Sequence, residues 1–169
     1  MIIRPEQEAD QHQIRIINTS AFETDAEANL VDALRQSDIP LISLVADEAN
    51  QLIGHILFSP VSLAESGHTP AITGLAPMAV LPAWQGKGVG SRLVREGLKY
   101  CTEAGYDAVV VLGHPDYYPR FGFVPASRFN IKSEYEVPDE VFMLKELKQS
   151  ALLTGVKGVI RYHEAFNQV

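Results

Sequence analysis

Only one cysteine, Cys101, occurs in the 169 residues, so no disulfide can close within the chain. A reducing setting is the simplest reading of that scarcity. Long apolar runs are missing too, and nothing approaches the roughly 18 residues of a membrane span. No secretory pattern opens the sequence, because Arg4, Glu6, Glu8 and Asp10 interrupt any apolar leader. Cytoplasmic residence away from the membrane is therefore expected. Basic residues are the minority: 14 Lys and Arg stand against 21 Asp and Glu, a net charge of −7. That balance argues against nucleic acid as a partner, which needs cationic surface. It suits a cationic partner such as an amine. His12, His55, His68 and His163 show no metal-ligand spacing with cysteines or carboxylates, so no metal is expected and they read as surface or strand residues. Internal repeats and low-complexity tracts are also absent.

What is present reads as one globular domain over residues 1–169. Its apolar fraction of 46% and charged fraction of 21% are enough for a core and a solvated surface. Met1 to Arg4 reads as a short strand, and Pro5 as the opening of a helix with Glu6, Glu8 and Asp10 at its positive end. Ile14, Ile17 and Ala21 mark the apolar side of that helix. Glu27 to Gln36 reads as a second helix with Leu30, Val31 and Leu34 inward. Leu41 to Ala46 and Leu52 to Phe58 read as a hairpin turning at Asp47–Asn50, and Ser66–Pro70 as a further turn. Tyr135 to Leu147 and Gly158 to Tyr162 supply two late strands.

The most informative stretch is Gln85-Gly86-Lys87-Gly88-Val89-Gly90. It follows an apolar strand, Ile72 to Val80, and opens a helix with Val89, Leu93, Val94, Leu98 and Cys101 on one face. Gly105 stands where a helix would end, and Ala108 to Leu112 is the next strand. Glycines leave backbone N–H groups approachable, and a helix start directs free N–H groups and positive potential outward. Strand, glycine loop and helix together make a seat for a phosphate-like anion. The spacing fits neither a Walker loop nor G-x-G-x-x-G, since Ser91 stands where the last glycine would be. The surviving pattern is Gln-x-x-Gly-x-Gly, at Gln85, Gly88 and Gly90. Pro77 is unusual inside a strand and is expected to mark a bulge or gap in the pairing.

With those residues the chain resembles the GCN5-related N-acetyltransferases, whose diphosphate loop carries this pattern between a strand and a helix. A second match is Tyr118 four residues before Gly122-Phe123, in the run GHPDYYPRFGF, whose wording is similar to a bacterial branch of the family. The resemblance spans Ile2 to about Phe129 well and the remainder less well. It implies an α/β acyl-CoA N-acyltransferase fold in the order β-α-α-β-β-β-α-β-α-β-β, a mixed sheet with helices on both faces, which is also the order read from the residues.

The resemblance further implies acetyl-CoA as co-substrate and direct attack by a primary amine in a ternary complex. Gln85, Gly86, Lys87, Gly88, Val89, Gly90 and Ser91 would take the diphosphate, with charge from Lys87 and Arg92. Backbone of Met78, Ala79 and Val80 would take the pantetheine arm, and the Met78 N–H would polarise the thioester carbonyl. Tyr118 would be the acid for the leaving thiolate, a phenol being suited to that task. Tyr117 is the alternative donor, and a merely packed aromatic the plainer reading. No Glu occurs from Ile72 to Val80, so the base stays open between His114, for which a hydrogen-bonded turn histidine is the plainer reading, and a water chain to solvent. Glu23, Asp25 and Glu27 could line the acceptor pocket, as that region often does in the family. Cys101 reads as core rather than as a nucleophile. The acceptor, a small-molecule or peptide amine, is not specified by any motif, and dimerisation is left open. A non-enzymatic acyl-CoA sensor or interaction module on the same fold is the competing reading.

Overall fold

The computed structural model of the protein describes residues 1–64, 70–149, 152 and 156–169. The turn expected at residues 66–70 lies, apart from Pro70, outside the described residues, and so does His68. The elements are β1 (Ile2–Pro5), α1 (Gln11–Phe22), α2 (Ala26–Gln36), β2 (Ile42–Glu48), β3 (Gln51–Ala64), β4 (Ile72–Val80), α3 (Val89–Glu103), β5 (Ala108–Leu112), β6 (Val124–Pro125), β7 (Ile131–Ser133), β8 (Phe142–Glu146) and β9 (Gly158–Arg161). The strands form a mixed sheet in the order β1-β2-β3-β4-β5-β8-β6, with β9 on β3 and β7 on β9. This is the α/β acyl-CoA N-acyltransferase architecture that the sequence implies. Two compact units divide the chain: Met1–Ser59, Ala76–Gly97 and Glu164–Val169 in the first, Pro60–Leu75 and Leu98–His163 in the second.

In the first unit β1, β2 and the start of β3 are antiparallel neighbours. The β2–β3 turn closes on Ala49 and Asn50, both left-handed at φ 50° and 70°. Pro5 does not open a helix as expected. It ends β1 opposite Leu44, at the sheet edge where a missing N–H is tolerated. The helix begins after a short 3-10 turn, Glu8–Asp10. The Asp10 carboxylate accepts the Gln7 N–H at 2.7 Å and two Arg4 guanidinium bonds at 2.8 and 3.1 Å. Arg4 thereby holds Asp10 below the usual carboxylate range. Ile14 and Ile17 of α1 pack with Leu30, Val31 and Leu34 of α2 and with Val45, Leu57 and Ala79 of the strands. On the opposite face of β3, Gly54 lies under Val89 and Leu93, and Phe58 under Gly97, so α3 covers that side. Helices thus lie on both faces of these strands.

One polar residue interrupts each side of the α1 interface, and the two meet. Asn18 and His55 are both fully buried. Asn18 Nδ2 donates to the Ile14 carbonyl at 3.0 Å, which turns its amide nitrogen toward His55 Nδ1 at 3.1 Å. His55 Nδ1 must then accept, so Nε2 carries the proton and donates to Ser43 Oγ at 2.9 Å. The Ser43 hydroxyl in turn donates to Glu6, whose carboxylate takes two bonds from Arg35 at 3.1 and 3.2 Å. Burial pushes the His55 pKa down to about 3, with the Arg35 charge adding to it, and keeps the ring neutral.

In the second unit β4 and β5 run parallel from Ile72 opposite Ala108 to Gly74 opposite Val110. Pairing stops there, three residues before Pro77, while β5 continues along β8 as far as Leu112 opposite Phe142. Ile72, Ala108, Val110, Leu144 and Ile160 form the core of this unit. The late strands are shorter than expected. Pro138 and a 3-10 turn at Asp139–Val141 occupy the front of the Tyr135–Leu147 segment, because proline offers no ladder N–H. The two-residue β6 and three-residue β7 are too short to show a period in sequence.

Candidate active site

The glycine loop begins where β4 ends. Leu81 N–H bonds to the Ile53 carbonyl at 2.9 Å, and Pro82–Trp84 then forms one 3-10 turn. Gly86 and Gly88 take φ of +74° and +85°, conformations that cost a side-chain-bearing residue. No described residue lies within 4 Å of the position a Cβ would take at either glycine. Gln85 to Gly88 are exposed, and α3 starts at once with buried Val89. The N–H groups of Gly86, Lys87 and Gly88 make no hydrogen bond among the described residues. Arg92 N–H closes the first helical turn on Gly88 at 3.1 Å. Bare N–H groups, left-handed glycines and the start of a 15-residue helix form a cradle that fits a diphosphate.

Three details differ from expectation. The Gln85 N–H is engaged with the Pro82 carbonyl at 3.3 Å, because the 3-10 turn folds it back. The Gln85 side chain instead donates from Nε2 to the Val80 carbonyl at 3.0 Å, tying the loop to the end of β4, so that carbonyl is not free. No signal in the sequence marks that bond. Of the two expected cations, Lys87 lies over the Trp84 ring at 5.2 Å, whereas the Arg92 guanidinium donates to the Met1 carbonyl at 3.0 Å. Ala79 and Val80 are buried and Met78 half-buried. Gly90 and Ser91 occupy the first turn of α3.

In the second unit the His114 carbonyl accepts the N–H groups of Tyr117 and Tyr118, at 3.1 and 3.3 Å. A 3-10 turn, Tyr118–Phe121, follows, with Pro119 in its first turn and left-handed Gly122 at its end. Tyr118 is 7% exposed, edge-on to Tyr117 and Phe123 at ring distances of 5.1 and 5.7 Å. Burial, aided by Tyr117, pushes its phenol up to about 12, so it stays protonated through neutral pH. Its hydroxyl has no hydrogen-bond partner among the described residues. The His114 imidazole is exposed and makes no side-chain hydrogen bond among them either. Cys101 is fully buried and burial pushes its thiol up to about 12, as a core residue requires. His55 is a strand residue as expected, but a deeply buried one.

An exposed N–H cradle between a strand and a long helix, on a mixed α/β sheet, is the arrangement of a phosphate-binding α/β protein. Comparison with known proteins agrees. Residues 10–123 match the model of the Acetyltransferase (GNAT) family, and the chain belongs to that family. It is 40% identical over 169 residues to the N-acetyltransferase YhbS of Escherichia coli (strain K12), covering 99% of each chain. Identity to the N-acetyltransferase YjhQ of the same strain is 38% over 154 residues, 87% of this chain and 85% of that one. The crystal structure of Escherichia coli YhbS in complex with CoA superposes with a TM-score of 0.92 at 39% identity, over 98% of this chain and 91% of that one. A GNAT family acetyltransferase from Brucella melitensis, solved with acetyl-CoA, gives 0.80 at 36% identity, over 98% and 97%.

Proposed function

We propose that the whole chain, as one functional domain, transfers an acetyl group from acetyl-CoA to a primary amine. The observation that carries this reading is the open loop at Gly86–Gly88, in a chain so similar to proteins solved with CoA and acetyl-CoA. Backbone N–H groups from Gly86 to Gly90 would hold the diphosphate, with Ser91 beside them in the first turn of α3, without needing a side-chain charge. Bound acetyl-CoA supplies the activated acyl group. Backbone at Met78 to Val80 would align the thioester arm, with the Met78 N–H directed at the carbonyl oxygen, where negative charge develops. The amine attacks directly, and Tyr118 would give its phenolic proton to the departing sulfur. Burial keeps the phenol protonated at neutral pH, so the proton is there to be given.

The proton lost by the amine would pass to His114, whose exposed ring can return it to water. The acceptor is an amine of a small molecule or peptide, and the protein works in the cytoplasm. Titration calorimetry with CoA and thiol release from acetyl-CoA over an amine panel test the reading. We expect one CoA per chain, turnover on at least one amine, and a loss of about a hundredfold in kcat for Tyr118→Phe. Tight CoA binding with no turnover on any amine would instead support the acyl-CoA sensor.

A further inference from the structure

We propose that Gly113 is a positioning residue that seats the ring of Tyr118. The inference rests on Tyr118 as the proton donor. Gly113 needs no glycine for its backbone: it is not among the residues with positive φ. What requires the missing side chain is the tyrosine. A Cβ on Gly113 would stand 2.3 Å from Tyr118 Cε2, 2.7 Å from Cδ2 and 3.3 Å from Cζ. The ring therefore lies directly against the Gly113 Cα.

Neither partner can yield cheaply. The Gly113 backbone is fixed by its N–H bond to the Val141 carbonyl at 2.9 Å, one residue beyond the β5–β8 rung that joins Leu112 to Phe142. The Tyr118 backbone is tied to the His114 carbonyl at 3.3 Å. Phe123, Tyr117 and Phe121 crowd the ring at 5.7, 5.1 and 6.3 Å. Phe123 is itself 1% exposed and cannot retreat toward solvent. An added methyl group must then turn the phenol out of its seat or push β5 off β8. Gly113 and the aromatic cluster together fix where the hydroxyl stands, in a site where misplacement by about 1 Å costs about a hundredfold.

Gly113→Ala tests this, with acetyl-CoA as donor and spermidine, lysine amide and kanamycin as amine probes. We expect kcat to fall at least about tenfold while the KM for acetyl-CoA moves less than about twofold, because only proton delivery is disturbed. The decisive arm is the double variant. Added to Tyr118→Phe, Gly113→Ala should cost no further rate, since the hydroxyl it misplaces is already gone. Equal losses in both backgrounds, or no loss in the first, would overturn the proposal.

A crystal structure of Gly113→Ala gives a readout independent of turnover: a displaced Tyr118 ring supports the seat, and an unmoved ring sinks it. Should Gly113→Ala not fold, Gly113→Ala with Tyr118→Ala decides, because removing the ring removes the clash. Recovered folding supports the seat, and failure to fold where Tyr118→Ala alone folds refutes it. Full activity in Tyr118→Phe would bring down the acid assignment and this inference together. A loss in Tyr118→Phe without one in Gly113→Ala would bring down this inference alone.

Discussion

At the scale of single residues, buried polar groups carry the least expected feature. His55 stands fully buried between Asn18 and Ser43, neutral and with one tautomer imposed by its neighbours. A folded-state pKa of about 3 lies below the unfolded value of about 6.5. The unfolded chain therefore binds the proton first as pH falls. The stabilisation is complete above about pH 6.5 and is lost on acidification toward pH 3. In that window the residue adds a slope of about 1.4 kcal/mol per pH unit to the unfolding free energy. Urea unfolding of wild type and His55→Gln between pH 4 and 8 checks this. The variant should lose that slope, and an unchanged slope would assign the acid sensitivity elsewhere. None of this is legible in the sequence. Asn18 falls beside an apolar stripe, and His55 sits in an apolar strand. Which residues face each other depends on how α1 crosses β3, a tertiary fact.

At the scale of elements, α3 shows what periodicity can and cannot specify. Its start at Val89 and its left-handed end at Gly105, φ +93°, follow from the stripe of apolar residues and the glycine. The role of Gly97 does not. Helix propensity alone makes Gly→Ala favourable by about 1 kcal/mol in a helix interior. Here the new Cβ would lie 2.4 Å from Phe58 Cε2 and 2.6 Å from Cζ, on a ring 1% exposed. We expect Gly97→Ala to destabilise the protein by about 1–3 kcal/mol, read as a lower urea midpoint at constant m-value. A stabilised variant would mean that the Phe58 ring shifts freely. The start of α1 teaches a related lesson. Proline is favoured both in a helix's first turn and at a sheet edge, and strand pairing with β2 decided between them. Likewise the long late segment from Tyr135 is broken by Pro138, and only its second half pairs as β8.

At the scale of the whole molecule, the family and the order of elements through β5 were legible, because the loop pattern, the following helix and Tyr118 each carry a physical requirement. The helix expected after β5 is a four-residue 3-10 turn, and among the described residues four short strands follow where two were expected. The acceptor is not legible, because no motif in this chain encodes an amine-binding pocket. What the sequence offers most clearly is the cradle at Gly86 and Gly88, and its left-handed glycines make it testable without an acceptor. A methyl group at Gly88 meets open space, so Gly88→Ala leaves packing untouched and penalises only the φ of +85°. That penalty of about 1–2 kcal/mol, if it opens the loop, translates into roughly five- to thirtyfold weaker binding. The most direct measurement is titration calorimetry of CoA into wild type and Gly88→Ala, with their melting temperatures compared. We expect one CoA per wild-type chain and at least about fivefold weaker binding by a variant that still folds. Absence of CoA binding to the wild type, or equal affinity for both proteins, would contradict the claim that this loop holds the diphosphate.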